Sequence, residues 1–174
     1  LFRAQGYGKT SLAQIAREAG VSRTTLFSYF PAKRDLIWQD HDERVADLGA
    51  ALDAGPARPI VDMVVRGLLA NARYSVADHA LLAARMNVVS QEEELLAYGA
   101  LAAQQAIARI CTGAKERAPE ADPATVDLVT RALVGAASSC TEEWARLDRP
   151  EVGLDAFIGE RIVPVVEALR PLLP

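Results

Sequence analysis

Ser11-Leu12-Ala13-Gln14-Ile15-Ala16-Arg17-Glu18-Ala19-Gly20-Val21-Ser22-Arg23-Thr24-Thr25-Leu26-Phe27-Ser28-Tyr29-Phe30-Pro31 is the stretch on which the reading of this chain turns. Ser11 stands before an apolar-periodic run and Gln14 follows three positions later. That is capping-box spacing, in which a hydroxyl and an amide each satisfy an orphan backbone N–H. Leu12, Ile15 and Ala16 then share one face, so a helix of about two turns is expected. Gly20 can adopt the left-handed backbone that ends it, and Val21 can plug the angle between helices. Ser22 can cap a second helix over about 23–30, which Pro31 closes. A capped helix, a Gly-centred turn and a short second helix make a helix-turn-helix pattern. Arg23, Thr24 and Thr25 sit at the start of the second helix. From there, side chains can reach base edges in a major groove, beside helix-end amides suited to phosphate. Leu26 and Phe30 point towards a small core, leaving Phe27 for the outer side. An ordinary capped, solvated helix would use Arg23, Thr24 and Thr25 as well, and Phe27 and Tyr29 also suit a plain core.

Outward from this stretch, charge is segregated. Residues 1–38 carry Arg3, Lys9, Arg17, Arg23, Lys33 and Arg34 against Glu18 and Asp35, a local net charge of +4 in a chain whose total is −4. The two parts therefore suit different partners, the first of them polyanionic. Apolar residues make up 51% of the 174, mostly Ala, Leu and Val, a mixture that favours helices over strands, and an all-α fold is expected. A longer amphipathic helix is read from 33 towards 52 through Leu36, Ile37, His41, Val45 and Leu48, joining the first part to the rest. Gly55-Pro56-Ala57-Arg58-Pro59 breaks it. Further helices are expected at about 60–75, 78–90, 92–117, 123–148 and 154–170, with Pro164 kinking or splitting the last.

The segment 1–36 resembles the TetR/AcrR family of bacterial repressors, through Gly6-Tyr7-Gly8-Lys9-Thr10-Ser11-Leu12-Ala13-Gln14-Ile15-Ala16, then Ala19-Gly20-Val21-Ser22, then Thr25-Leu26-Phe27-Ser28-Tyr29-Phe30-Pro31-Ala32-Lys33. The resemblance reaches residue 45 or so. It implies that Arg23, Thr24 and Phe27 read base edges, that Ser11, Thr25, Tyr29 and Lys33 grip phosphate, and that Ser22 caps the reading helix. Phe27 departs from the family's commoner Tyr and removes a hydroxyl there. Tyr29-Phe30-Pro31-Ala32-Lys33-Arg34-Asp35-Leu36-Ile37-Trp38, followed by Asp40, Asp42 and Glu43, also resembles the branch of regulators found near mycofactocin genes. That branch is associated with long-chain acyl-CoA ligands.

In the remaining helices polar residues recur among apolar ones. Met63, Met86, Tyr98 and Leu101 are candidate walls of a ligand pocket, and Arg66, Arg85 and Gln105 candidate orienting groups. With Arg73 and Arg109, those arginines could meet the phosphates of a CoA head. Taken singly, each also suits an amphipathic helix. The small residues Gly135-Ala136-Ala137-Ser138-Ser139 lie mid-helix and permit close helix approach. Paired with the last helix, this helix resembles the family's four-helix dimer interface, and half-sites about 34–36 Å apart call for two linked readers.

Other chemistries find little support. Gly8-Lys9-Thr10 imitates the end of a phosphate-binding P-loop, but Arg3 stands where that motif needs Gly. His41 and His79 belong to no metal-ligand spacing, Cys111 and Cys140 to no CxxC pair, and no catalytic triad is readable. No cofactor and no catalysis are expected. Nor is a signal segment or membrane span, so a cytoplasmic location is. The chain opens at Leu1-Phe2 without an initiator Met and with the character of a helix already begun, so a short preceding piece is expected. The expectation is a homodimer with a helix-turn-helix domain at 1–45 and a ligand-binding, dimerising domain at 46–174. Its partners would be a double-stranded operator and a small apolar or amphipathic effector. A constitutive DNA-binding repressor and a helical small-molecule-binding protein or enzyme are the alternatives.

Overall fold

Ser11 and Ser22 cap the two helices expected of them in the computed structural model, which describes residues 1–56 and 59–173. A short α1, Phe2–Gln5, precedes them. In α2, Leu12–Glu18, the Gln14 N–H donates to Ser11 Oγ at 3.2 Å while the Ser11 N–H donates to Gln14 Oε1 at 2.8 Å. The capping box is closed in both directions. At the other end Gly20 takes φ +69°, and the Val21 and Gly20 N–H groups turn back to the carbonyls of Ala16 and Arg17. This is the paired closure of a left-handed helix stop. In α3, Arg23–Tyr29, the Thr25 N–H donates to Ser22 Oγ at 3.0 Å.

The helix expected from 33 to 52 is divided. A 3-10 turn, Lys33–Leu36, is followed by irregular backbone and then by α4, His41–Asp53. Tertiary demands outweigh the continuous pattern here. The Asp35 carboxylate accepts the Ala32 N–H at 2.7 Å, Ile37 is drawn into a small core, Trp38 packs against Gly99 and Asp40 turns to a buried ion pair. Ala57 and Arg58 of the expected break lie outside the described residues.

Beyond it run α5, Ile60–Asn71; α6, His79–Ser90; α7, Glu93–Arg117; α8, Pro123–Arg146; α9, Leu154–Arg161; and α10, Val163–Leu169. The last stretch splits at Ile162, beside Pro164, which supplies no N–H, the break expected of that proline. Pro123 opens α8 at a position that needs no N–H, and Asp122 caps it by accepting the Thr125 N–H at 2.9 Å.

The main core is built around α5, whose Ile60, Val61, Met63 and Val64 are inaccessible to solvent or nearly so. Around them pack Leu48 and Leu52 of α4, Ile110 and Ala114 of α7, Leu133 and Trp144 of α8, and Ile158 of α9. Trp144 satisfies its indole N–H on the Val152 carbonyl at 3.0 Å, so its burial leaves no orphan donor. A second, smaller core of Tyr7, Ile37, Val89 and Leu95, flanked by Phe2 and Trp38, seats the N-terminal helices on α6 and α7. No described helix is long and apolar enough to cross a membrane.

Candidate nucleic-acid interface and its joint to the body

The N-terminal turn of α3 is presented outward. Arg23, Thr24 and Thr25 are exposed while Leu26, one residue on, is buried, so the helix is held by one face and free on the other. Phe27 is half-buried, with the Arg23 guanidinium 5.1 Å from its ring centroid. Tyr29 is 75% exposed, large for an aromatic ring with no packing role. Ser11 and Ser22 lie at the exposed starts of α2 and α3. Lys33 is partly committed inward: its ammonium donates to the Tyr7 carbonyl at 2.6 Å and stands 4.0 Å from the Tyr7 ring centroid. An ammonium has three protons, so two remain for an outside acceptor. Burial pushes the Tyr7 hydroxyl up to about 12, so the group beside Lys33 stays neutral.

Besides the small core, an aromatic attachment and an ionic one join the N-terminal helices to the body. Trp38 lies against α7, with Gly99 so close that a Cβ there would stand 3.2 Å from the indole. Tyr98, from the same turn of α7, has its ring centroid 5.8 Å from that of Trp38 and 6.2 Å from that of His41. The second attachment is ionic. Arg85 of α6 donates from Nη1 to both Asp40 oxygens, at 2.8 and 3.1 Å, and Arg44 Nε donates to Asp40 Oδ2 at 3.1 Å. The Tyr74 hydroxyl adds a bond to the same oxygen at 2.9 Å, and the Arg44 guanidinium stacks 3.5 Å from the Tyr74 ring centroid. Burial alone would raise the Asp40 pKa. The charge of Arg85, hydrogen bonds from Tyr74 and Arg85, and the charge of Arg44 together outweigh it and hold the carboxyl below its ordinary range.

The other end of α4 is held by arginines too. Arg66 donates to the carbonyls of Ala51 and Pro56, at 3.2 and 2.9 Å, and Arg117 to those of Leu52 and Asp53 and to the Asp53 carboxylate. Cations at a helix C-terminus complement its dipole, as Asp42 and Glu43 do in the first turn. Gly55 admits the Arg66 guanidinium, which a Cβ at that position would meet at 2.6 Å.

The candidate pocket residues are consequently spread out. Arg85 and Arg66 grip opposite ends of a 13-residue helix, about 18 Å apart at 1.5 Å per residue. Met63 is fully buried in the main core and Met86 packs at its edge. Tyr98 belongs to the joint, while Leu101, 56% exposed, and Gln105 face outward from α7. Asp40, Arg44 and Tyr74 went unread as a site. The four-residue spacing of Asp40 and Arg44 is visible in the sequence, but their link to Tyr74 and Arg85 is not.

The family model described as MftR C-terminal domain matches residues 58–169, and the one described as bacterial regulatory proteins, tetR family, matches residues 1–38. The chain belongs to the TetR family. Among curated TetR-family relatives, the putative mycofactocin biosynthesis transcriptional regulator MftR of Mycobacterium tuberculosis is 35% identical over 99 residues, 56% of this chain and 50% of that protein. The HTH-type transcriptional regulator AcrR of Shigella flexneri is 29% identical over 159 residues, 83% of this chain and 73% of that protein. The chain thus spans half the length of the first relative. The crystal structure of the TetR family transcriptional regulator PfmR from Thermus thermophilus shares the fold, with a TM-score of 0.50 at 19% identity, over 99% of this chain and 91% of that one.

Proposed function

We propose that this TetR-family regulator acts as a homodimer that binds a pseudo-palindromic operator through α3, represses transcription, and is released when a small apolar or amphipathic effector fills the body. The reader ends near residue 45 and the body takes up the rest. The observation that carries the DNA reading is the capped, exposed start of α3, with Arg23, Thr24 and Thr25 outward over a buried Leu26, in the part of the chain where positive charge is gathered. Ser11, Ser22, Phe27, Tyr29 and Lys33 border the same presentation.

Supporting the effector reading is α4, bonded to the body at both ends. A ligand that shifts the body can move Asp40 and the segment joined to the reader, provided that it binds the non-DNA arrangement better. Long-chain acyl-CoA is the class to test first, since the C-terminal match is to the MftR domain. Arg66 and Arg85 would have to exchange their present partners to meet it.

The test begins with selection of bound duplexes from a random pool. Against the operator recovered, Arg23→Ala should weaken binding and relax base preference at one position by about 1–3 kcal/mol. Tyr29→Phe should weaken all sequences alike by about 0.5–1.5 kcal/mol. Unchanged specificity in Arg23→Ala would overturn this placement of the recognition helix.

A further inference from the structure

A cleft of about 250 Å³ opens at the joint itself, between the end of α3 and the start of α4 on one side and α7 on the other. Its walls are aromatic on both sides: Tyr29, Phe30, Trp38 and His41 from the reader side, Tyr98 from the body. Its carboxylates are Asp35 and Asp42, beside the neutral amide of Gln39. Asp35 commits one oxygen to the Ala32 N–H, while exposed Asp42 has no hydrogen-bond or ion-pair partner among the described residues. Trp38 brings a buried indole N–H that likewise has no acceptor. Arg34 lies 5.6 Å from the Tyr98 ring centroid, with carboxylate oxygens of Glu94 and Asp35 at 3.6 and 3.9 Å. The protein itself therefore already places a cation on this ring.

We propose that this cleft is a binding site for a small organic cation carrying an aromatic or short alkyl group. Ring faces attract a cation through their quadrupoles, and the attraction grows as the cation is desolvated. Unpaired Asp42 supplies the countercharge, and the rings cover the apolar part. The volume falls below the roughly 300–1,000 Å³ of sites for drug-sized ligands, so a single ring with a cationic head suits it better than an acyl chain. Because the walls come from reader and body together, an occupant ties the two to one relative arrangement. The cleft is tested without operator or effector present, so its failure leaves the DNA reading untouched.

The experiment titrates the unliganded protein with benzyltrimethylammonium, with its neutral isostere neopentylbenzene and with benzoate, following the two tryptophan indole N–H resonances by NMR. Trp144, fully buried and bonded to the Val152 carbonyl, is the internal control. The cation should shift the Trp38 resonance saturably and leave that of Trp144 in place, while the neutral and anionic probes bind at least about tenfold more weakly. Asp42→Asn and Tyr98→Leu should each weaken the cation about tenfold. If Tyr98→Leu disturbs the fold, the exposed Asp42→Asn decides alone. Absence of a saturable Trp38 shift, equal affinity for cation and isostere, indifference to Asp42→Asn, or parallel movement of Trp144 would each overturn the site.

Discussion

Asp40 carries more of the joint than any other single side chain. Its oxygens accept from Arg85, Arg44 and Tyr74, groups from three separate stretches of chain. Removing its charge leaves Arg85, which is buried, without a counterion, a larger loss than that of an exposed pair. Asp40→Asn should therefore destabilise the fold by about 1–3 kcal/mol near neutral pH, read as a lower denaturation midpoint. The pH dependence follows from the depressed folded-state pKa. A carboxyl of this kind contributes stability in full above its unfolded value of about 3.9 and loses it as pH falls through the lower folded value. The gap between wild type and variant should narrow below that pH, because the wild-type carboxyl is then neutral too; a gap constant into acid would show that charge is not the cause. Of this network, the sequence displays Asp40 and Arg44 four residues apart. It does not display Arg85, 45 residues further on, because only packing brings α6 to the start of α4.

At the scale of elements, local signals act where neighbours make few demands. Capping by Ser11 and Ser22 and termination at Gly20 are decided by bonds spanning five residues or fewer, and these form as read. Gly20 offers a clean test, since a Cβ there would meet no atom within 4 Å but the backbone stands at φ +69°. Gly20→Ala should cost about 1–2 kcal/mol from backbone strain alone. Gly8→Ala, equally unobstructed and without positive φ, should be neutral or stabilising by up to about 1 kcal/mol. Thermal melts of the two variants compare them directly, and equal costs would remove the conformational argument. Residues 33–52 behave differently. Their apolar spacing suits one helix, yet Ile37, Trp38 and Asp40 are each claimed by a distant partner, so regular backbone is given up between the 3-10 turn and α4.

For the molecule as a whole, the outer faces of α8 and α10 matter most. Leu128, 64% exposed, continues along α8 into Ala132, Gly135 and Ser139, and Val163 is exposed on α10. Gly135 has open space where its Cβ would be, so Gly135→Trp should leave the single chain folded. If two copies meet on this face, the indole blocks their approach through overpacking. Sedimentation should then give a monomer with an unchanged helical signal, whereas an unaltered dimer would place the interface elsewhere. The all-helical fold, the two-part division of charge, the helix-turn-helix and the break beside Pro164 were determined by the sequence alone. Each rests on periodicity, capping or backbone restriction, which are properties of neighbours along the chain. Only the tertiary structure decided that Arg66 and Arg85 hold opposite ends of α4, that Tyr98 serves the joint, and that Lys33 turns partly inward. Those assignments depend on which distant polar groups must be satisfied once apolar faces close, and spacing along the chain carries no record of that.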